Sequence, residues 1–117
     1  MTRWERALYS GRVLPARQQA ELLSLISVKT GQPIDRTSLA DPSGYGLGVM
    51  QGTTQKFGTF WTYEGGTFGF RTLHLYLPDS GLIMAIGLNS STSQDHAMNL
   101  AGRVYDTLLA NHVIAAK

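Results

Sequence analysis

The residues best suited to touch a reacting group lie together in Tyr63-Glu64-Gly65-Gly66-Thr67. A strand-like aromatic run gives out in this glycine-rich stretch, and a second run, Arg71 to Leu77, follows almost at once. A glycine pair inside a strand pattern marks a bulge, or a place where a ligand or another backbone comes close. Tyr63 can donate a hydrogen bond, and backbone stripped of side chains allows close approach. Packing offers the plainer account, in which Gly65-Gly66 makes a tight hairpin and Tyr63 fills space. Spacing alone favours the plainer account.

Other chemistry is poorly supplied. The chain has no cysteine, so disulfides and thiolate catalysis are excluded, while the compartment stays open. His74, His96 and His112 lack metal-ligand spacing, and no metal or cofactor is expected. His74, flanked on its strand face by Thr72 and Tyr76, reads as a polar surface residue, and His112 as a dipole contact at a helix end. Trp61, Phe68, Phe70 and Tyr76 are candidates for a binding patch, with core packing as the default. No Gly-x-Ser-x-Gly elbow or phosphate loop occurs. Ten basic and eight acidic residues are scattered without a run of like charge, which argues against a nucleic-acid surface. No apolar run approaches the ~18 residues of a membrane span. The Met1-Thr2-Arg3-Trp4 start lacks the apolar centre of a signal peptide, so a parent protein that is exported would carry its signal elsewhere.

The elements that must position the candidate residues follow from periodicity. With 117 residues the chain fits a single domain, 1–117, able to bury its own core. Residues 3–10 read as a helix, with Thr2 as cap and Gly11 as stop. Pro15 opens a second helix at about Ala16 that fades near Ser27, with Gly31 as its stop. Residues 32–44 are polar and rich in turn formers, hence a loop. Tyr45 to Met50 forms a strand, Gly52 to Gln55 a turn, and Phe57 to Tyr63 the next strand. From Phe70, alternation sends Leu73, Leu75 and Leu77 to one face and Thr72, His74 and Tyr76 to the other. Pro78-Asp79-Ser80-Gly81 is a hairpin turn, and Leu82 to Leu88 reads as a central strand buried on both faces. Thr92 and Asp95 suggest a capping box for a last helix reaching about Asn111, striped by Ala97, Leu100, Ala101, Val104 and Leu108. The expected class is α+β: about three to four antiparallel strands, a C-terminal helix on one face and two short N-terminal helices.

This order of strand, glycine pair, strand, Leu77-Pro78-Asp79-Ser80-Gly81 turn and apolar strand ending in Leu88-Asn89-Ser90 resembles a known family. It looks like the C-terminal part of the penicillin-recognising serine hydrolases: class C β-lactamases, D-alanyl-D-alanine carboxypeptidases and their esterase-like relatives. Trp4 to Leu8 and Gly11 to Pro15 resemble the helix and turn that precede this region. The resemblance implies a β-lactamase-like fold, a bacterial, extracytoplasmic setting, and acyl transfer on a β-lactam, D-Ala-D-Ala peptide or ester. The family's Lys-Thr-Gly or His-x-Gly triplet matches Tyr63-Glu64-Gly65, and Gly66 takes the position of its oxyanion-hole N–H, a donor worth about 3 kcal/mol in acyl transfer. Tyr63 in place of Lys or His removes a positive charge, so an uncharged ester or amide fits better than an anionic substrate. The literal Lys29-Thr30-Gly31 is a decoy, because it leads into a polar loop and not a hairpin.

The family's nucleophile is a Ser three residues before a Lys. Residues Ile26, Thr53 and Ile114 precede Lys29, Lys56 and Lys117 at that spacing, so no Ser-x-x-Lys is present, and the family's Tyr-x-Asn or Ser-x-Asn is missing too. Two functions follow as expectations. In one, the chain supplies the active-site strand and an oxyanion donor, but handles substrate only with a missing N-terminal part. In the other, it is a non-catalytic assembly module. The family's fold flanks the strand matching Leu82 to Leu88 with an N-terminal strand absent here. The bare apolar edge would then pair with a second copy or a partner strand.

Overall fold

The computed structural model describes residues 1–90 and 96–115. The expected Thr92–Asp95 capping box lies outside them. Two short helices come first, α1 (Thr2–Tyr9) and α2 (Ala16–Leu23). Seven strands follow: β1 (Leu25–Ser27), β2 (Pro33–Ile34), β3 (Ser43–Tyr45), β4 (Met50–Thr54), β5 (Gly58–Thr67), β6 (Phe70–Leu77) and β7 (Leu82–Leu88). The last element is α3 (His96–Ala110). The strands form one antiparallel sheet in the order β2-β1-β3-β4-β5-β6-β7, so β3 to β7 is a plain meander.

The α+β class, the antiparallel sheet and the C-terminal helix agree with the sequence reading, but seven strands replace the expected three to four. The difference arises before residue 50. The helix expected to fade near Ser27 ends at Leu23, where the Ser24 hydroxyl bonds back to the Glu21 carbonyl. The next residues alternate, with Leu25 and Ser27 buried and Ile26 exposed, which is a strand's pattern. The polar stretch 32–44, expected as a loop, contributes β2 and the start of β3. It is held by side chains: Thr37 donates its N–H to Gln51 Oε1 (2.9 Å), and its hydroxyl meets that of Thr53 (2.7 Å). Gly46 to Val49 is a turn closed by a Gly46 N–H to Val49 C=O bond (2.7 Å), so the expected Tyr45–Met50 strand is split in two. The turn placed at Gly52–Gln55 moves to residues 55–57.

At the start of the chain, α1 has no side-chain cap, and Thr2 lies within it. Its end agrees with expectation. Gly11, at φ 70°, donates to Leu8 C=O and Arg12 to Ala7 C=O, a paired closure that a left-handed glycine permits.

The sheet carries a helix on each face. Leu73, Leu75 and Leu77 of β6 join Phe57, Phe60, Met84, Ala97, Ala101 and Tyr105 in the core beneath α3. Tyr105 meets Phe57 edge-on at 5.2 Å, and Lys56 reaches Asp106 of α3 at 2.6 Å. The stripe of α3 is rotated from expectation: Ala97, Ala101, Gly102 and Tyr105 are buried, while Leu100 and Val104 face outward. One bulky Tyr105, reaching the Phe57 ring, outweighs the aliphatic count on the neighbouring side. On the opposite face α1 lies against β6, with Tyr9 stacked on Tyr76 at 5.1 Å and beside Trp61 at 5.8 Å. Finally, β7 is an edge and not a central strand, and within it Met84 alone is buried.

Leu75, with 0% exposure, sits at the centre of this arrangement. Leu75→Ala should cost about 2–5 kcal/mol. Leu100→Ala, on the outward side of α3, should cost less than about 1 kcal/mol. Urea unfolding of the two variants checks the pair.

Candidate functional site

The segment read as a break in the strand is not one. β5 runs unbroken through Tyr63, Glu64, Gly65, Gly66 and Thr67, paired in register with His74, Leu73, Thr72, Arg71 and Phe70 of β6. The hairpin turns at Phe68-Gly69, with Gly69 at φ 78°, so Gly65-Gly66 is not the tight turn of the plainer account either.

The other side of β5 differs. β4 pairs with it from Gly58 to Thr62, where Met50 is the last partner, and then turns away. Residues Tyr63 to Thr67 therefore overhang, bonded to β6 on one side and to no strand on the other among the described residues. In an antiparallel pair alternate N–H and C=O groups point outward. Along this overhang they point into the space that β4 vacates.

Each candidate side chain then has a place. Glu64 meets Arg71 at 3.3 Å on the α3 face, a half-exposed pair of a kind that contributes little to stability. Tyr63, 41% exposed, lies by Tyr45, and its hydroxyl, through hydrogen bonding first and electrostatic influence second, raises the Tyr45 pKa. A Cβ on Gly65 would stand 2.9 Å from the Thr72 hydroxyl, whereas one on Gly66 would meet nothing within 4 Å. Glycine in a strand costs roughly 0.5–1 kcal/mol relative to alanine. Gly66 has neither a positive φ nor a crowding neighbour to require it. A cleft of about 540 Å³ opens beside the overhang, lined in part by Tyr45, Met50, Thr62, Tyr63, Glu64 and Met98. At the hairpin tip Phe68 is 99% exposed and Phe70 largely so, away from the core. Trp61 and Tyr76 are instead covered by Tyr9.

A second cluster was missed in the sequence. Glu5 is buried in α1, and both its carboxylate oxygens lack a hydrogen-bond partner. His74 is not a surface residue. Its Nδ1 is 3.9 Å from Glu5 Oε1, and its Nε2 is 3.3 Å from the Tyr9 hydroxyl. Burial raises the Glu5 pKa, partly offset by the chain's amino group; burial lowers that of His74. Burial and the nearby Glu5 carboxylate raise that of Tyr9. The available signal was spacing, since Glu5 and Tyr9 are four apart and so share a helix face.

The remaining motifs are structural. Lys29-Thr30-Gly31 forms the turn between β1 and β2, not a helix end, with the Lys29 and Thr30 N–H groups donating to Ser27 Oγ. His112 is exposed at φ 55°, just past α3. Among the described residues no group of three His, Cys, Asp or Glu is placed to hold a metal ion, and no helix is long and apolar enough to cross a membrane. No protein-family model, curated protein or solved structure matches the chain.

The buried pair has opposite pH signatures. Glu5 binds its proton more tightly when folded, so its contribution to stability falls as pH rises from 4.5 through its raised pKa. His74 binds its proton less tightly when folded, so its contribution falls as pH drops below 6.5. Glu5→Gln should raise the Tm at pH ~7, with the gain shrinking toward pH ~4. His74→Gln should flatten the loss of Tm just below pH 6.5. Thermal melts across pH check both signs.

Proposed function

We propose that this chain is one wall of an acyl-transfer site: the C-terminal part of a β-lactamase-related serine hydrolase with a β-lactamase-like fold. The observation that carries the reading is the β5 overhang. Among the described residues no strand pairs with its outward backbone groups, and a side chain at Gly66 would meet nothing within 4 Å. An amide or ester laid along that edge would bond to the strand as a further strand does, with the Gly66 N–H as an oxyanion donor. Tyr63 and Glu64 line the adjoining cleft, and no basic residue takes the first triplet position, which favours an uncharged substrate. The nucleophile belongs to a preceding segment bearing Ser-x-x-Lys.

On this reading the chain alone forms no stable adduct with a fluorescent penicillin or an activated ester. Joined to an upstream segment that supplies Ser-x-x-Lys, it becomes acylated. In that longer protein Gly66→Leu should slow acylation by roughly 10²–10³-fold, the worth of a blocked oxyanion donor, with little change in Tm. An adduct on the isolated chain, or unimpaired acylation in the variant, would overturn the proposal.

A second reading, an assembly module, is favoured by β7. Its seven residues, LIMAIGL, carry no charge, and β6 is their sole strand neighbour among the described residues. An uncharged apolar edge is a template for pairing. This reading expects dimers that grow with concentration in sedimentation equilibrium and vanish in Ala85→Lys, and a monomer at all concentrations would remove it.

A further inference from the structure

The cluster around Glu5 has the make-up of a receptor for a positively charged group, on the sheet face that carries α1. A cavity of about 240 Å³ is walled in part by Trp4, Glu5, Leu8, Tyr9, Tyr63 and His74. Its acid is 2% exposed and both oxygens are without hydrogen-bond partners. A buried carboxylate left in that condition is costly, and structures normally satisfy one with a cation or several donors. The nearest side-chain donor fails on distance. His74 Nδ1 stands 3.9 Å away, outside hydrogen-bond range. With Nε2 facing the Tyr9 hydroxyl, and burial favouring the neutral ring, His74 brings no full positive charge. The chain's own amino group acts on Glu5 from a distance without bonding to it. What the two oxygens lack is an N–H donor within bonding distance.

The other walls narrow the choice. Trp4, Tyr9 and Tyr63 offer aromatic rings, whose faces attract an ammonium group. Leu8 and Val49 line the same space and suit a short hydrocarbon tail. The volume falls below the roughly 300–1,000 Å³ of pockets for drug-sized ligands, so the occupant is small. A quaternary ammonium has no N–H to give the two bare oxygens; a guanidinium could bond both, but its planar head is larger than an ammonium, and the small volume favours the ammonium. We propose that this pocket binds the primary ammonium group of a small alkylamine, with the Glu5 carboxylate accepting its N–H bonds and the indole of Trp4 closing over it. The two sites share Tyr63 as a wall, but the proposal does not depend on the acyl-transfer reading, because its acid and its indole come from α1.

The test is an NMR titration of the full chain with n-butylammonium chloride, following the Trp4 indole and Glu5 amide resonances, with sodium chloride at matched ionic strength as control. A saturable shift is expected, and Glu5→Gln should weaken it at least ten-fold while keeping the folded spectrum. Trp4 is an exposed residue, so Trp4→Ala should fold normally and weaken binding about two- to thirty-fold, the range of a cation–π contact. Tetramethylammonium should bind at least ten-fold more weakly than butylammonium. Acetylating the chain's amino group removes a competing cation and should tighten binding. Shifts no greater than those with sodium chloride, equal binding by Glu5→Gln, or equal binding of tetramethylammonium would each overturn the proposal.

Discussion

The strict alternation of β6 is the constraint on which the rest depends. Leu73, Leu75 and Leu77 are almost wholly buried under α3, and this fixes which way every other residue of the strand must face. Thr72, His74 and Tyr76 are thereby committed to the opposite side, where α1 seats Tyr9 over His74 and Tyr76. Register with β5 then places Tyr63 beside His74 and Gly66 beside Arg71. A slip of one residue would turn three leucines to α1 and bury an imidazole in the apolar core. The two candidate sites are therefore set by one hydrophobic commitment.

Polar contacts hold the remaining elements to this sheet. Thr37, Gln51, Thr53 and Thr59 form a chain of side-chain hydrogen bonds that fastens the stretch before β3 across β4 and β5. Such networks stabilise when every member is partnered. The Glu5 carboxylate, a few strands away, is left bare, so polar satisfaction differs sharply between the two ends of the same face. Gln19 Oε1 and Asp41 Oδ1 are also without partners, but only at Glu5 are both oxygens of one carboxylate left bare among the described residues.

Much of the strand region was legible because its periodicity is clean. Leu73, Leu75 and Leu77, the Pro78–Gly81 turn and the long β7 run all follow from alternation and turn chemistry. The N-terminal half was harder. Leu25 to Ser27 continues an apolar run from α2, and only pairing with β2 and β3 makes it a strand. Residues 32–44 are polar enough for a loop, yet distant side chains hold two strand segments within them. The outward turn of Leu100 and Val104 depends on where Tyr105 finds a ring to pack against, which composition does not reveal. For the candidate site, the glycine pair drew attention to this segment for a reason the structure replaces: the strand does not break there, its neighbour leaves. Glu5 was hidden in an ordinary-looking amphipathic helix, since burial of a single acid has no mark in sequence beyond its spacing from Tyr9.

The overhang of β5 has a mechanical side. β5 loses β4 beyond Thr62, but β6 stays paired with β7 as far as Arg71, so only the tip from Thr67 to Phe70 stands clear of the sheet. Its free end carries Phe68, a large ring with nothing to grip. A force applied at that ring enters the sheet where Gly66, Arg71 and Leu88 lie side by side on β5, β6 and β7. Whatever takes hold of the tip therefore pulls along β6, the strand that carries the buried Leu73, Leu75 and Leu77.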